Sequence, residues 1–239
     1  MQPFQVIVEY TAMKPLLMAC MMLGAANLAP GEPVRWEFEN LNGWKDGSQN
    51  NSPMSYAVQE GKLRITTRAN SRDRVKVVRK ERFMAGTFHW RIYVPAMGEG
   101  DQASIGAFLY SDDKREVDFE IGYGKADVRK QMNANSSDIV CYCTTQGFPY
   151  STSQFLVQSE AWHTFTIELV ETAQATYDLA WSIDGKVVKK VSSTIKSSVD
   201  FALLCSVENL AFMGDHIPKQ ENYGLFDWVA YTDPPSKVK

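Results

Sequence analysis

Residues 86–95, GTFHWRIYVP, alternate without a break. Phe88, Trp90, Ile92 and Val94 form one set, His89, Arg91 and Tyr93 the other, and Pro95 ends the run. A period of two places the two sets on opposite faces of an extended chain and does not fit the 3.6-residue stripe of an amphipathic helix. The pattern recurs in KLRITTRA (62–69), ASIGAFLY (103–110), REVDFEIG (115–122), IVCYCTT (139–145), HTFTIELV (163–170), TYDLAWSID (176–184), FALLCSVEN (201–209) and LFDWVAYTD (225–233). Asp184-Gly185 between two such runs predicts a tight hairpin. No segment beyond residue 30 sustains a helical apolar period. About a dozen strands without helices predict an all-β, antiparallel two-sheet β-sandwich. With no linker and no internal repeat, residues 31–235 are expected to form one domain.

The first 29 residues read differently. MKPLLMACMMLGAANLA, from Met13 to Ala29, has one Lys, an apolar run and then small residues, the form of a secretory signal peptide. The twelve residues before it read as an upstream start-site extension. LMAC, ending at Cys20, faintly resembles a lipoprotein box, which leaves a lipid anchor as an alternative. Export to the periplasm, the cell surface or the medium is expected, and no later segment has the length of a membrane span. A net charge of −3 argues against general nucleic-acid binding. Cys141, Cys143 and Cys205 read as buried thiols, with one pairing to Cys205 left open, and their spacing is not that of a zinc site. The three His, His89, His163 and His216, read as structural hydrogen-bonders. A monomer is the default expectation.

One strand carries an unusual charge pattern. In KREVDFEIG (114–122), Glu116, Asp118 and Glu120 share one face, and Val117, Phe119 and Ile121 share the other. The apolar set suits a sandwich core. Three like charges on the opposite face repel one another unless cations on neighbouring strands pair them or chemistry uses them. Paired carboxylic groups are what retaining glycoside hydrolysis requires, one as nucleophile and one as acid/base. Residues i and i+4 on a strand have Cα atoms about 13 Å apart, a gap that two inclined glutamates can narrow. The charge between them disfavours ionising both together. Which Glu keeps the proton is open at this point.

EVDFE resembles the E-x-D-x-E signature of glycoside hydrolase family 16. The order of the surrounding segments is also similar. GTFHWRIYVP resembles the family's strand ahead of the catalytic one, AWHTFTIEL its W-H-x-Y-x-I-E-W segment, WSIDGKVV its W-Y-V-D-G-K-x-V hairpin, and LFDWVAYTD its closing strand. The resemblance covers about residues 36–233. It implies a concanavalin A-like jelly roll with a substrate cleft and a secreted, retaining endo-glycoside hydrolase acting on a β-linked polysaccharide. Glu116 would be the nucleophile, Asp118 its assisting carboxylate and Glu120 the acid/base. It implies no cofactor and no catalytic metal, and a structural calcium ion stays open because no ligand spacing demands one.

The sequence departs from the family in two places. ASIGAFLY lacks the tryptophans of the family's W-P-A-F-W strand. Lys114 stands where many members have an aromatic residue, and it either balances the triplet or meets a carboxylate or sulfate on an acidic glycan. Tyr110, Tyr142 and Trp44 are further substrate-binding candidates. Trp90, Trp162, Trp181 and Trp228 fall in segments whose alternation suggests core packing. The basic run VRKERF (78–83) reads as a solvated strand or loop. Two other functions stay open: a non-catalytic carbohydrate-binding jelly roll, and a polysaccharide lyase using His89, Arg91 and Tyr93, which share a parity. A transglycosylase cannot be separated from a hydrolase on these residues.

Overall fold

The structure is a computed structural model that describes residues 31–234. The leader segment, Cys20 and the last five residues lie outside the described residues. Fifteen strands and one short helix follow in order: β1 (Val34–Glu37), β2 (Trp44–Asp46), β3 (Tyr56–Gln59), β4 (Lys62–Thr67), β5 (Arg74–Phe83), β6 (Gly86–Val94), β7 (Ala103–Asp112), β8 (Arg115–Gly122), α1 (Ala126–Met132), β9 (Asp138–Thr145), β10 (Ser151–Gln158), β11 (Ala161–Glu171), β12 (Thr176–Ile183), β13 (Lys186–Lys196), β14 (Phe201–Asn209) and β15 (Asn222–Thr232). One sheet has the order β13-β12-β11-β6-β15-β4-β3, with β1 added on β15, and the other has the order β10-β9-β8-β7-β14-β5-β2. The sheets stack as a jelly-roll sandwich. The triplet strand β8 sits between β7 and β9, away from either edge of its sheet.

The alternation decides which residues meet between the sheets. Val117, Phe119 and Ile121 from β8, the three cysteines, and Trp90, Phe165, Ile167 and Trp181 from the facing sheet are all essentially inaccessible. Phe119 and Phe165 meet across the interface with ring centroids 5.1 Å apart. Each such buried side chain contributes about 1.5–3 kcal/mol of hydrophobic stabilisation. Two indoles tie the sheets together by hydrogen bonds: Trp90 Nε1 donates to the Leu204 carbonyl at 3.1 Å and Trp181 Nε1 to the Asp118 carbonyl at 3.0 Å. The second bond fixes the backbone of the triplet strand β8 from behind. The edge is closed by buried Lys189, whose ammonium donates to the carbonyls of Cys143 (2.6 Å) and Ser151 (2.9 Å) on the other sheet.

Several expectations are met and several are corrected. Asp184 and Gly185 both have positive φ, 49° and 77°, as the hairpin between β12 and β13 requires. Cys141, Cys143 and Cys205 are buried free thiols, so no pairing to Cys205 forms. His163 bridges the Asp184 carboxylate at 2.7 Å and the Gln158 carbonyl at 2.9 Å, a structural role. The helix α1 was not anticipated, because seven residues make barely two turns and leave no periodicity to read. Trp162 and Trp228 are not core residues. They lie half-buried on the outer face of the eight-stranded sheet, where Trp162 meets Tyr93 and the Arg35 guanidinium covers Trp228. Arg79 of the basic run is buried rather than solvated, stacked on Trp36 and paired with Glu81 at 2.5 Å.

Candidate active site

The outer face of the seven-stranded sheet carries a cleft of about 500 Å³. Its floor follows from strand register. Glu116, Asp118 and Glu120 stand opposite Tyr110, Phe108 and Gly106 on β7, and Asp118 and Glu120 stand opposite Thr144 and Tyr142 on β9. All three carboxylates line the cleft. None of these directly opposed residues is a cation, so the structural explanation of the triplet, pairing by neighbouring Lys or Arg, does not apply to its nearest neighbours.

Burial governs the chemistry of the triplet. Asp118 is 2% and Glu120 8% exposed. Burial, reinforced by the Glu208 carboxylate, pushes Glu116 up to about 7. The same causes push Glu120 up to about 8, against a counteracting hydrogen bond donated by the Ser104 hydroxyl. Asp118 lies well above the usual carboxylate range, first through burial and then through the charges of Glu116 and Glu120 on either side. Its Oδ1 is buried without a hydrogen-bond partner among the described residues. Carboxyl groups held in this range keep protons at neutral pH, which is what a general acid needs.

A second charged group underlies the cleft and was not read from the sequence. Glu208 on β14, 1% exposed, accepts from Arg74 Nε and from Lys76 Nζ at 2.9 Å, both on β5. Glu208 stands directly opposite Ser104, which contacts Glu120. Glu208 and Ser206 alternate with Cys205 and Val207, and Arg74 and Lys76 alternate with Val75 and Val77. That parity was visible, but that β14 and β5 are neighbours was not. Gly106 is required where it is: a Cβ there would fall on Ser206 Oγ and within 3.1 Å of the Phe108 ring.

The predicted binding residues divide. Tyr142 lines the cleft beside Glu120, and its ring meets Phe212 edge-on with centroids 5.6 Å apart. Phe212 and Tyr150, 47% and 61% exposed, add aromatic surface that sequence reasoning missed. Both lie in loops, where no alternation marks a face. Tyr110 sits on the correct face opposite Glu116, but its hydroxyl donates to Asp113 at 2.8 Å and it stands beside the cleft rather than lining it. Lys114 is exposed in the β7–β8 turn and does not line the cleft, because the ladder stops at Asp112–Arg115. Trp44 is corrected outright. Its segment is strand β2, and its ring is buried in the core against Trp36 and Phe38. His89, Arg91 and Tyr93 lie on β6 of the other sheet with their parity opposite to buried Phe88, Trp90 and Ile92. They therefore face away from the cleft and cannot serve a lyase there. Among the described residues no group of three or more His, Cys, Asp or Glu is placed to hold a metal ion, and no helix is long and apolar enough to cross a membrane.

No family profile matches this sequence, and no curated protein matches it. Solved structures do. A Crh5 transglycosylase in complex with NAG superposes with a TM-score of 0.63 at 17% identity, over 88% of each chain. The catalytic domain of an endo-1,3-β-glucanase (laminarinase) from Thermotoga petrophila gives 0.63 at 14% identity, over 88% of this chain and 99% of that one. A glycoside hydrolase family 16 endo-glucanase from Bacteroides ovatus gives 0.59 at 14% identity, over 83% and 99%. These superpositions give this chain the jelly-roll fold of the glycoside hydrolase family 16 glucanases and transglycosylases.

Proposed function

We propose that this protein is a retaining, endo-acting glycoside hydrolase that cleaves a β-linked polysaccharide. The carrying observation is the E-V-D-F-E strand on the cleft floor, with Glu116 held near 7 and Glu120 near 8. Between those values Glu116 is ionised and Glu120 keeps its proton. Glu116 attacks the anomeric carbon as the glycosidic C–O bond breaks, and Glu120 gives its proton to the departing oxygen. Glu120, now a carboxylate, takes a proton from a water, whose oxygen displaces Glu116 and frees the product. A sugar hydroxyl in place of water would make the same site a transglycosylase. Asp118, buried between the two glutamates and raised by burial and by their charges, is the assisting carboxyl group that spaces them. Phe212 and Tyr150, both exposed, offer ring faces to pyranose rings, with Tyr142 packed against Phe212. Secretion and a monomeric state accord with this reading and belong to it.

Reducing ends released from a panel of β-glucans and β-galactans test the proposal. Wild-type release, lost in both Glu116→Gln and Glu120→Gln, is expected. Retained glycan binding with no release by the wild type would favour a non-catalytic binding protein, a reading to which the missing tryptophans of β7 lend weight.

A further inference from the structure

The cleft is electrically lopsided about the triplet. On the β9–β10 side its lining is uncharged: Tyr142, Thr144, Gln146, Tyr150 and Thr152. On the β5 side it is lined by Asn50, Arg72 and Arg74, and Lys76 lies beneath. Arg72, Arg74 and Lys76 thus stand against the carboxylate of Glu208 and that of Glu116 on the cleft floor, which leaves one positive charge over, at exposed Arg72. Neighbouring Asp73 is not available to offset it, because Arg68 holds both its oxygens at 2.9 Å. Arg74 spends Nε on Glu208, and its two terminal nitrogens make no hydrogen bond among the described residues. Arg72 is exposed on the cleft wall and joins none of the ion pairs among the described residues.

Positive charge left over in a cleft, carried by guanidinium groups with free planar edges, fits an anion presented by the ligand. We infer that the β5 side of the cleft is a subsite for an anionic sugar substituent, a carboxylate or a sulfate ester, gripped by Arg72 and Arg74. The anion would sit on one side only of the bond on which Glu116 and Glu120 act, because among the described residues the lining of the aromatic side includes no cation to receive it. This names the substrate class of the proposed hydrolase and so rests on that reading. It also moves the expected contact with an acidic glycan from Lys114, which lies outside the cleft, to a pair of arginines inside it.

The test measures binding separately from cleavage. The Glu120→Gln chain is titrated at low salt with a neutral β-glucan and with its carboxylated and sulfated derivatives of matched length. At least tenfold tighter binding of an anionic derivative is expected, falling steeply with added salt. Adding Arg72→Gln should remove most of that advantage, and Arg72→Lys should restore part of it. Preference for the carboxylated derivative identifies a uronate, preference for the sulfated one a sulfate ester, and both support the subsite. Equal binding of neutral and anionic glycans, or an anionic preference that Arg72→Gln leaves intact, overturns it. Failure of the hydrolase reading looks different: the wild type would bind these glycans and release no reducing ends.

Discussion

Glu208→Gln isolates the charge that supports the proposed acid. Glu208 is two strands from Glu120, with β7 between them, so their backbones lie about 10 Å apart, two strand spacings of ~4.8 Å, which sets the scale for the separation of the two charges. At an effective dielectric of about 20, unit charges at that distance interact by about 1.7 kcal/mol. At ~1.36 kcal/mol per pH unit, that is about one unit on the acid's titration. Lys76 and Arg74, whose charges already favour the Glu116 carboxylate, stay in place and are no longer offset by Glu208. Both Glu116 and Glu120 should therefore titrate lower. The assay is kcat/KM against pH, which reports the free enzyme. The wild type is expected to give a bell with limbs near 7 and near 8. In Glu208→Gln both limbs should move to lower pH by about one unit or more. Ser104→Ala is the converse control: it removes the hydrogen bond that favours the Glu120 carboxylate, and the alkaline limb should rise. Limb positions do not depend on how much protein folds, so a loss of stability cannot imitate the shift. A Glu208→Gln profile with unmoved limbs would refute the reasoning, since a group contributing so close beneath the floor could not leave both glutamates unchanged.

Two further outcomes follow from the same floor. Gly106→Ala should destabilise the fold by about 1–3 kcal/mol in urea unfolding, the cost of overpacking, and should lower activity by displacing Ser206 and Phe108 opposite Glu120. Glu120→Gln should raise the melting temperature relative to wild type at pH 9 but not at pH 4. A carboxyl group whose folded value is raised favours the fold below its unfolded value, and that contribution is lost as pH rises through about 8.

The sequence was most legible where one strand carried the whole signal. The parity of β8 placed three acids on one face and three core side chains on the other, and the hairpin at Asp184-Gly185 followed from two residues. Information that lies between strands was not accessible in the same way. Glu208 meets Arg74 and Lys76 across 134 and 132 residues of chain, and no local pattern marks β14 and β5 as neighbours. Trp44 misled because its run is rich in Gly, Asn and Asp and resembles a loop, although three of its residues pair with β5 and turn the indole inward. Trp162 and Trp228 misled differently. Alternation gives two faces without saying which is solvated, and an indole partly covered by arginine is stable on the outer one.

That distinction bears on why the triplet can exist. Three like charges spaced two residues apart would ordinarily be tolerated because cations stand opposite them. Here the directly opposed residues are Tyr110, Phe108 and Gly106 on one side and Thr144 and Tyr142 on the other. The repulsion is relieved instead by burial, which favours protonated carboxyl groups over paired carboxylates. Arg74 and Lys76 are set two strands beyond β7, on β5, and pair with Glu208, so that Glu208 stays ionised between them and the triplet and works against ionisation of Glu116 and Glu120. Moving Lys76 or Arg74 next to the triplet would make the sheet more stable and the acid weaker at its task. The same arrangement that costs the fold stability at neutral pH is therefore the one that leaves a proton available above the cleft floor.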